Sequence, residues 1–260
     1  MPNQHNPIRC FEGNAQPHEP FWKWVNVDTD QPEMELNGVI SEYSWFEDDI
    51  TPKKFKDDLY KFGRGGPITM KINSPGGDVI AASMMRAIMS EYPGEITAQI
   101  EGMAASAAVI VSISASKVRI MDSAYMMIHD PAVVVFLAML DIETLGQLHD
   151  SLKSIKAGIV PAYAQKTGLS EERISNMMRK ETWMSAREAV DYHFADEIIA
   201  GGQQPKTSIQ NVAFVNVIQT YANVPPGLLN LASEEPQPSA AEVERASHIE
   251  RLRERIKTLS

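Results

Sequence analysis

Hydrophobic and polar residues alternate in short runs separated by helical spacings over most of this chain. Leu36 to Ile40 reads as a first short strand. Thr51-Pro52 opens a helix, because Thr caps free N–H groups and Pro fits the first helical position. That helix runs to about Phe62 and stops before Gly63, Gly65 and Gly66. Ile68 to Ile72 alternates with a period of two and predicts a strand, ended by Asn73-Ser74-Pro75-Gly76-Gly77. Asp78 then caps a helix in which Val79, Ala82, Met84, Met85 and Ile88 recur at helical spacing. Glu95 to Ile100 predicts a second strand, broken at Gly102. Ala104 to Ser116 predicts a mostly apolar, buried helix. Lys117 to Met121 and Ala124 to Ile128 are two more short strands. Strands alternating with helices in this way point to an α/β domain with parallel pairing.

Beyond Pro131 a long helical stretch is expected from Leu140 to Lys166, with Leu145, Leu148, Leu152, Ile155 and Ile159 on one face. Pro161 is expected to kink or split it. Ser170-Glu171-Glu172 caps the next helix, and Ser185 to Glu188 forms a capping box for another. From Gly201 the texture changes: Val212 to Ile218 is β-prone, and Glu234 to Ser239 is a proline-containing linker. In the last segment Ile249, Leu252, Ile256 and Leu259 follow a 3-4-3 spacing, which makes a short amphipathic seam. Self-association and a solvated tail both fit it. The expected organisation is an N-terminal arm over 1–30, a catalytic-sized domain over 31–201, an extension and linker over 202–239, and a C-terminal amphipathic helix over 240–260.

Composition narrows the function. The chain has 260 residues and a single cysteine, Cys10, so neither an internal disulfide nor a cysteine zinc site can form. Six acids and six bases cancel within 202–260, which leaves the whole formal charge of −10 on the preceding residues. An acidic body is a poor partner for nucleic-acid phosphates. The weakly polar run from Ala104 to Ser116 is too short for a membrane span of about 20 apolar residues. The first 28 residues lack the pattern of a secretory signal. A cytoplasmic protein with no membrane or nucleic-acid partner is expected. No phosphate-binding Gly-Lys-Ser/Thr loop is present. The six histidines lack ligand-like spacing, so neither a metal nor a cofactor is expected.

Three strand ends carry candidate chemistry. Asn73 to Asp78 holds paired glycines, which let backbone N–H groups face a ligand. Gly102 to Ala107 presents Ser106 where a strand meets a helix, and His129 stands where another strand runs out. Each alone fits an ordinary structural role: a tight turn, a small-residue packing patch, a structural histidine. Parallel strands, however, bring their C-terminal ends to one edge. Together these ends would supply a nucleophile, a base and an oxyanion hole.

Ile72-Asn73-Ser74-Pro75-Gly76-Gly77, Gly102-Met103-Ala104-Ala105-Ser106 and Met127-Ile128-His129-Asp130-Pro131 resemble, in order and spacing, the motifs of the Clp protease proteolytic subunit (ClpP) family. Glu181 to Val190 is similar to the family's last catalytic segment, followed by Phe194 to Ile198. The resemblance covers residues 36 to 200. It implies the ClpP/crotonase-type α/β fold, a spiral of β-β-α units, and a serine endopeptidase acting through an acyl-enzyme. Carried over, Ser106 is the nucleophile and His129 the general base, with the Gly77 and Ala107 N–H groups at the oxyanion. The third member of the triad is usually Asp in the family. Here it is Glu181, which can also orient an imidazole.

Trp45 to Pro52 and Glu181 to Met184 look more like the phage-encoded branch of the family. That resemblance implies a head maturation protease cutting scaffold or capsid proteins in the host cytoplasm. A homo-oligomeric ring is implied as well, with the long helix from Leu140 supplying much of its interface. The arm does not resemble the segment that meets an ATPase in the housekeeping subunit, which leaves an ATPase partner open. Two other readings share the fold: a catalytically silent ring-forming assembly protein, and a crotonase-like acyl-CoA enzyme.

Overall fold

A computed structural model describes residues 22–40, 52–133, 139–200, 212–226 and 228. Strand β1 (Trp22–Val25) pairs antiparallel with β2 (Glu33–Asn37), and β2 runs parallel to β3 (Ile68–Ser74). β3 is followed by β4 (Ile96–Ala105) and β5 (Lys117–Met121), both parallel, and the sheet ends at β8 (Glu197–Ile199). β6 (Tyr125–Ile128) and β7 (Thr182–Ser185) lie off this path. β6 pairs parallel with the end of β4 and antiparallel with β7. β4 therefore serves two layers. Thr97 to Ile100 belong to the main sheet beside β5, whereas Met103 to Ala105 pair with Tyr125 to Met127.

The period-two pattern sets which face of the main sheet is buried. Met34, Leu36, Ile68, Met70, Ile72, Ala98, Ile100, Val118 and Ile120 all point into the core. They pack with helices α1 (Pro52–Gly63), α2 (Val79–Glu91) and α3 (Ala107–Ser112), which contribute Phe55, Leu59, Met85, Met89 and all of α3. The alternate residues form a polar face, with Lys71 paired to Glu33 at 2.9 Å and both Lys117 and Arg119 paired to Glu197. Asp78 caps α2 by accepting from the Ile80 and Ala81 N–H groups at 2.7 and 2.9 Å. Ser170 caps α5 (Glu171–Arg179), and the Ser185–Glu188 capping box opens α6 (Ala186–Asp191).

Several expectations are revised. Trp22 to Val25, assigned to the arm, forms the sheet edge: Trp22 is buried and meets Phe55 edge-on at 5.6 Å. The expected helix from Ala104 begins only at Ala107, because the alanines before it are taken into the ladder with β6. Tertiary pairing overrides alanine's helix preference there. The long helix α4 (Ile142–Thr167) passes through Pro161 without dividing. Ala157, whose carbonyl loses its N–H partner, is exposed to water, which can take the donor's place. The β-prone run from Val212 is instead helix α7 (Val212–Gln219), with Val217 and Ile218 buried. The seam over 240–260, the linker and residues 1–21 lie outside the described residues.

Candidate active site

The two-layer course of β4 places the central residues. Ser106 directly follows β4, and its N–H donates to the Met127 carbonyl at 2.8 Å, which locks it to the neighbouring strand β6. His129 directly follows β6. The parallel register of these strands fixes the offset between the two side chains, and His129 Nε2 lies 2.8 Å from Ser106 Oγ. Ser106 has φ 53° and ψ −119°, a strained conformation for a side-chain-bearing residue, and it sits between a strand and a buried helix. This bend separates its side chain from the helix that follows. Tyr163 of α4 donates to the Ser106 carbonyl at 3.5 Å from the other side.

The Gly76-Gly77 turn adjoins this junction. Gly76 has φ +97°, and a Cβ there would lie 2.6 Å from the Ala105 carbonyl, 2.8 Å from Ser106 Cβ and 3.1 Å from the Ala107 nitrogen. Only glycine lets the turn come this close. Gly77, at φ +139°, closes against Ile40, whose N–H donates to the Gly76 carbonyl while the Ile40 carbonyl accepts from Asp78. Ser74 is fully buried and braces the turn: its hydroxyl donates to the Gly38 carbonyl at 2.6 Å and accepts from the Gly76 N–H at 3.1 Å. Gly76 thus adjoins Ser106 and Ala107, with Gly77 the next residue of the turn.

Burial holds the His129 pKa below its ordinary 6.5. The charges of Glu181 and Asp130 oppose that shift without overcoming it. The imidazole is accordingly neutral at pH 7, the form in which it can accept a proton.

Glu181 stands nearby, at φ 50° immediately before β7. Among the described residues no hydrogen bond joins its carboxylate to the His129 ring. The carboxylate instead accepts from the Ala222 and Asn223 N–H groups at 2.8 and 2.6 Å and from Trp183 Nε1 at 3.1 Å. Asn223 adds a bond from its side chain to the Lys180 carbonyl at 3.1 Å.

These contacts bring in a segment the sequence analysis left without a role. Tyr221 sets its ring edge-on to His129 at 5.1 Å and donates its hydroxyl to the Pro75 carbonyl at 2.5 Å. Burial pushes the Tyr221 hydroxyl pKa up. Ile218 and Leu228 complete a small second core with Met103, Ala105 and Met127, flanked by Tyr125 and Trp183. The usable sequence signal was Tyr221-Ala222-Asn223 between an apolar run and Pro225-Pro226, a helix stop with an aromatic beside it. Among the described residues no group of three or more potential ligands is placed to hold a metal. No described helix is long and apolar enough to cross a membrane.

A parallel α/β sheet with serine and histidine in contact at adjoining strand ends is the arrangement of a serine hydrolase. The Clp protease family profile matches residues 61–202, and the chain belongs to that family. It is 29% identical over 163 residues to the ATP-dependent Clp protease proteolytic subunit 1 of Chlamydia muridarum, covering 60% of this chain and 84% of that one. The corresponding subunit of Protochlamydia amoebophila is 32% identical over 139 residues, covering 52% and 66%. In fold the chain is similar to a point mutant of ClpP1 from Listeria monocytogenes, with a TM-score of 0.56 and 24% identity over 67% of this chain and 94% of that one. A peptidase of Clp type with the ClpP fold follows.

Proposed function

We propose that this chain is a serine endopeptidase in which Ser106 attacks the peptide carbonyl and His129 accepts the serine proton at Nε2. The observation that carries the reading is the 2.8 Å contact between Ser106 Oγ and a half-buried, neutral imidazole. The Gly77 and Ala107 N–H groups, on the turn and the helix that meet at the serine, are the donors for the tetrahedral oxyanion in this reading. His129 returns its proton to the leaving amine. Water then attacks the acyl-enzyme, with His129 again acting as base. Glu181 supplies negative charge near the imidazole and is the orienting acid in this reading.

The finer assignment is a head maturation protease acting as a ring on scaffold or capsid proteins. Its support is the resemblance carried by residues 45–52 and 181–184, together with the first half of α4. There Ile142 and Leu145 are exposed, a face suited to contact between copies. A second reading, a ring-forming assembly protein without catalysis, draws on the engagement of the Glu181 carboxylate by Ala222 and Asn223 rather than by His129.

Fluorophosphonate labelling with mass spectrometry decides between them. Such a reagent reacts efficiently only with a serine served by a base and an oxyanion hole. An adduct on Ser106, absent from Ser106→Ala, is expected. A folded protein that gives no adduct under any condition overturns the peptidase reading in favour of the assembly protein.

A further inference from the structure

We propose that residues 212–226, together with Leu228, form an intramolecular cap that holds the site in a resting state, with Glu181 as its latch. This rests on the peptidase reading and concerns the regulation of that site. Three independent contacts place the segment over the catalytic groups. First, Ile218 and Leu228 pack on Met103, Ala105 and Met127 of the strands that end in Ser106 and His129, with Tyr125 and the β7 residue Trp183 beside them. Without the segment this apolar groove faces water directly beside the nucleophile, and an incoming chain must compete for it.

Second, Tyr221 covers the base: its ring stands edge-on to His129 at 5.1 Å, and its hydroxyl is tied to the Pro75 carbonyl at the start of the Gly76-Gly77 turn. Third, the carboxylate whose charge acts most strongly on the imidazole is consumed by the cap. Two backbone N–H groups of Ala222 and Asn223 bind Glu181, and each is a charge-assisted bond. Release of the segment frees that carboxylate beside His129. One movement therefore opens the groove, uncovers the histidine and restores an acid to the base.

The test compares the full-length parent with Tyr221→Ala and with the double variant Ile218→Asp/Leu228→Asp, which places charges in the apolar groove. The fluorophosphonate labelling rate at Ser106 is the first readout. Hydrogen exchange at the Ala222 and Asn223 amides is the second, and circular dichroism confirms the fold. If only a fraction of molecules is uncapped, labelling scales with that fraction. A rise of about tenfold or more is expected in both variants, with loss of amide protection in the double variant. Equal labelling of parent and variants, once the amides have lost protection, overturns the cap. Slower labelling of folded Tyr221→Ala also overturns it and makes Tyr221 a positioning residue of the site. Failure of every protein to label, with the segment demonstrably released, identifies the peptidase reading itself as the one that fails.

Discussion

Replacing Gly76 by alanine tests the close approach on which the site's geometry depends. At φ +97° an L-residue is strained, by about 1–2 kcal/mol. The added methyl meets the Ala105 carbonyl at 2.6 Å and Ser106 Cβ at 2.8 Å, both well inside normal contact. Overpacking of this kind costs about 1–3 kcal/mol. The total is about 2–5 kcal/mol, a large share of the roughly 5–15 kcal/mol that stabilises a domain. Gly168→Ala is the control for strain alone. It also has a positive φ, +72°, but nothing lies within 4 Å of the new methyl. Gly146→Ala is the control for neither effect, since its methyl also meets nothing within 4 Å and it stands inside α4. Urea unfolding at fixed protomer concentration should rank the three Gly76→Ala, Gly168→Ala, Gly146→Ala from least to most stable. The clash can be relieved only by moving the turn away from Ser106 and Ala107, and a shift of about 1 Å lowers a positioned reaction rate on the order of 100-fold. Gly76→Ala protein as stable as Gly168→Ala, labelled by fluorophosphonate at the parental rate, would refute the packing argument.

Burial lowers the His129 pKa, and two consequences follow. The labelling rate should climb as the imidazole loses its proton, with its midpoint below pH 6.5, and stay flat through neutrality; a midpoint above 6.5 contradicts the burial argument. Stability should rise with pH between the folded and unfolded pKa values, because the unfolded chain binds the proton more readily in that window, and His129→Gln should remove that slope. Asp78→Ala removes the acceptor of two N–H groups at the start of α2 and should cost about 1 kcal/mol in urea unfolding. An unchanged midpoint would mean that water replaces the cap without loss.

The local signals in the chain carried much of the architecture. Asp78, Ser170 and Ser185 cap the helices they were expected to open, because capping is decided within three residues. Ser106 and His129 were legible as residues at strand ends, and parallel pairing placed those ends side by side. What local pattern could not convey was long-range. The alanines before Ser106 favour helix in isolation and become strand only through pairing with Tyr125 to Met127. Val212 to Ile218 favours strand by its β-branched residues and becomes helix by burying Val217 and Ile218. The partner of the Glu181 carboxylate lies 41 residues away in Ala222, beyond the reach of any motif. Similarly, β1 was hidden because Trp22 gains its value from Phe55 on a distant helix.

The division of β4 between two cores separates release of the Ile218 and Leu228 packing from unfolding of the chain. The main sheet and its helices share one extensive core that takes in Ala104, Ala107, Met126 and Ile128, whereas Met103, Ala105 and Met127 pack with Ile218 and Leu228 in a smaller one. The region with fewer buried contacts opens first. Moderate heat should therefore loosen the packing of Ile218 and Leu228 while the central sheet, whose core takes in Ala104, Ala107 and Ile128 beside the two catalytic candidates, is still intact. Cooling should then restore that packing quickly, because the surviving sheet still presents β4 as its template. Such a molecule can be switched by disturbing a small part of itself.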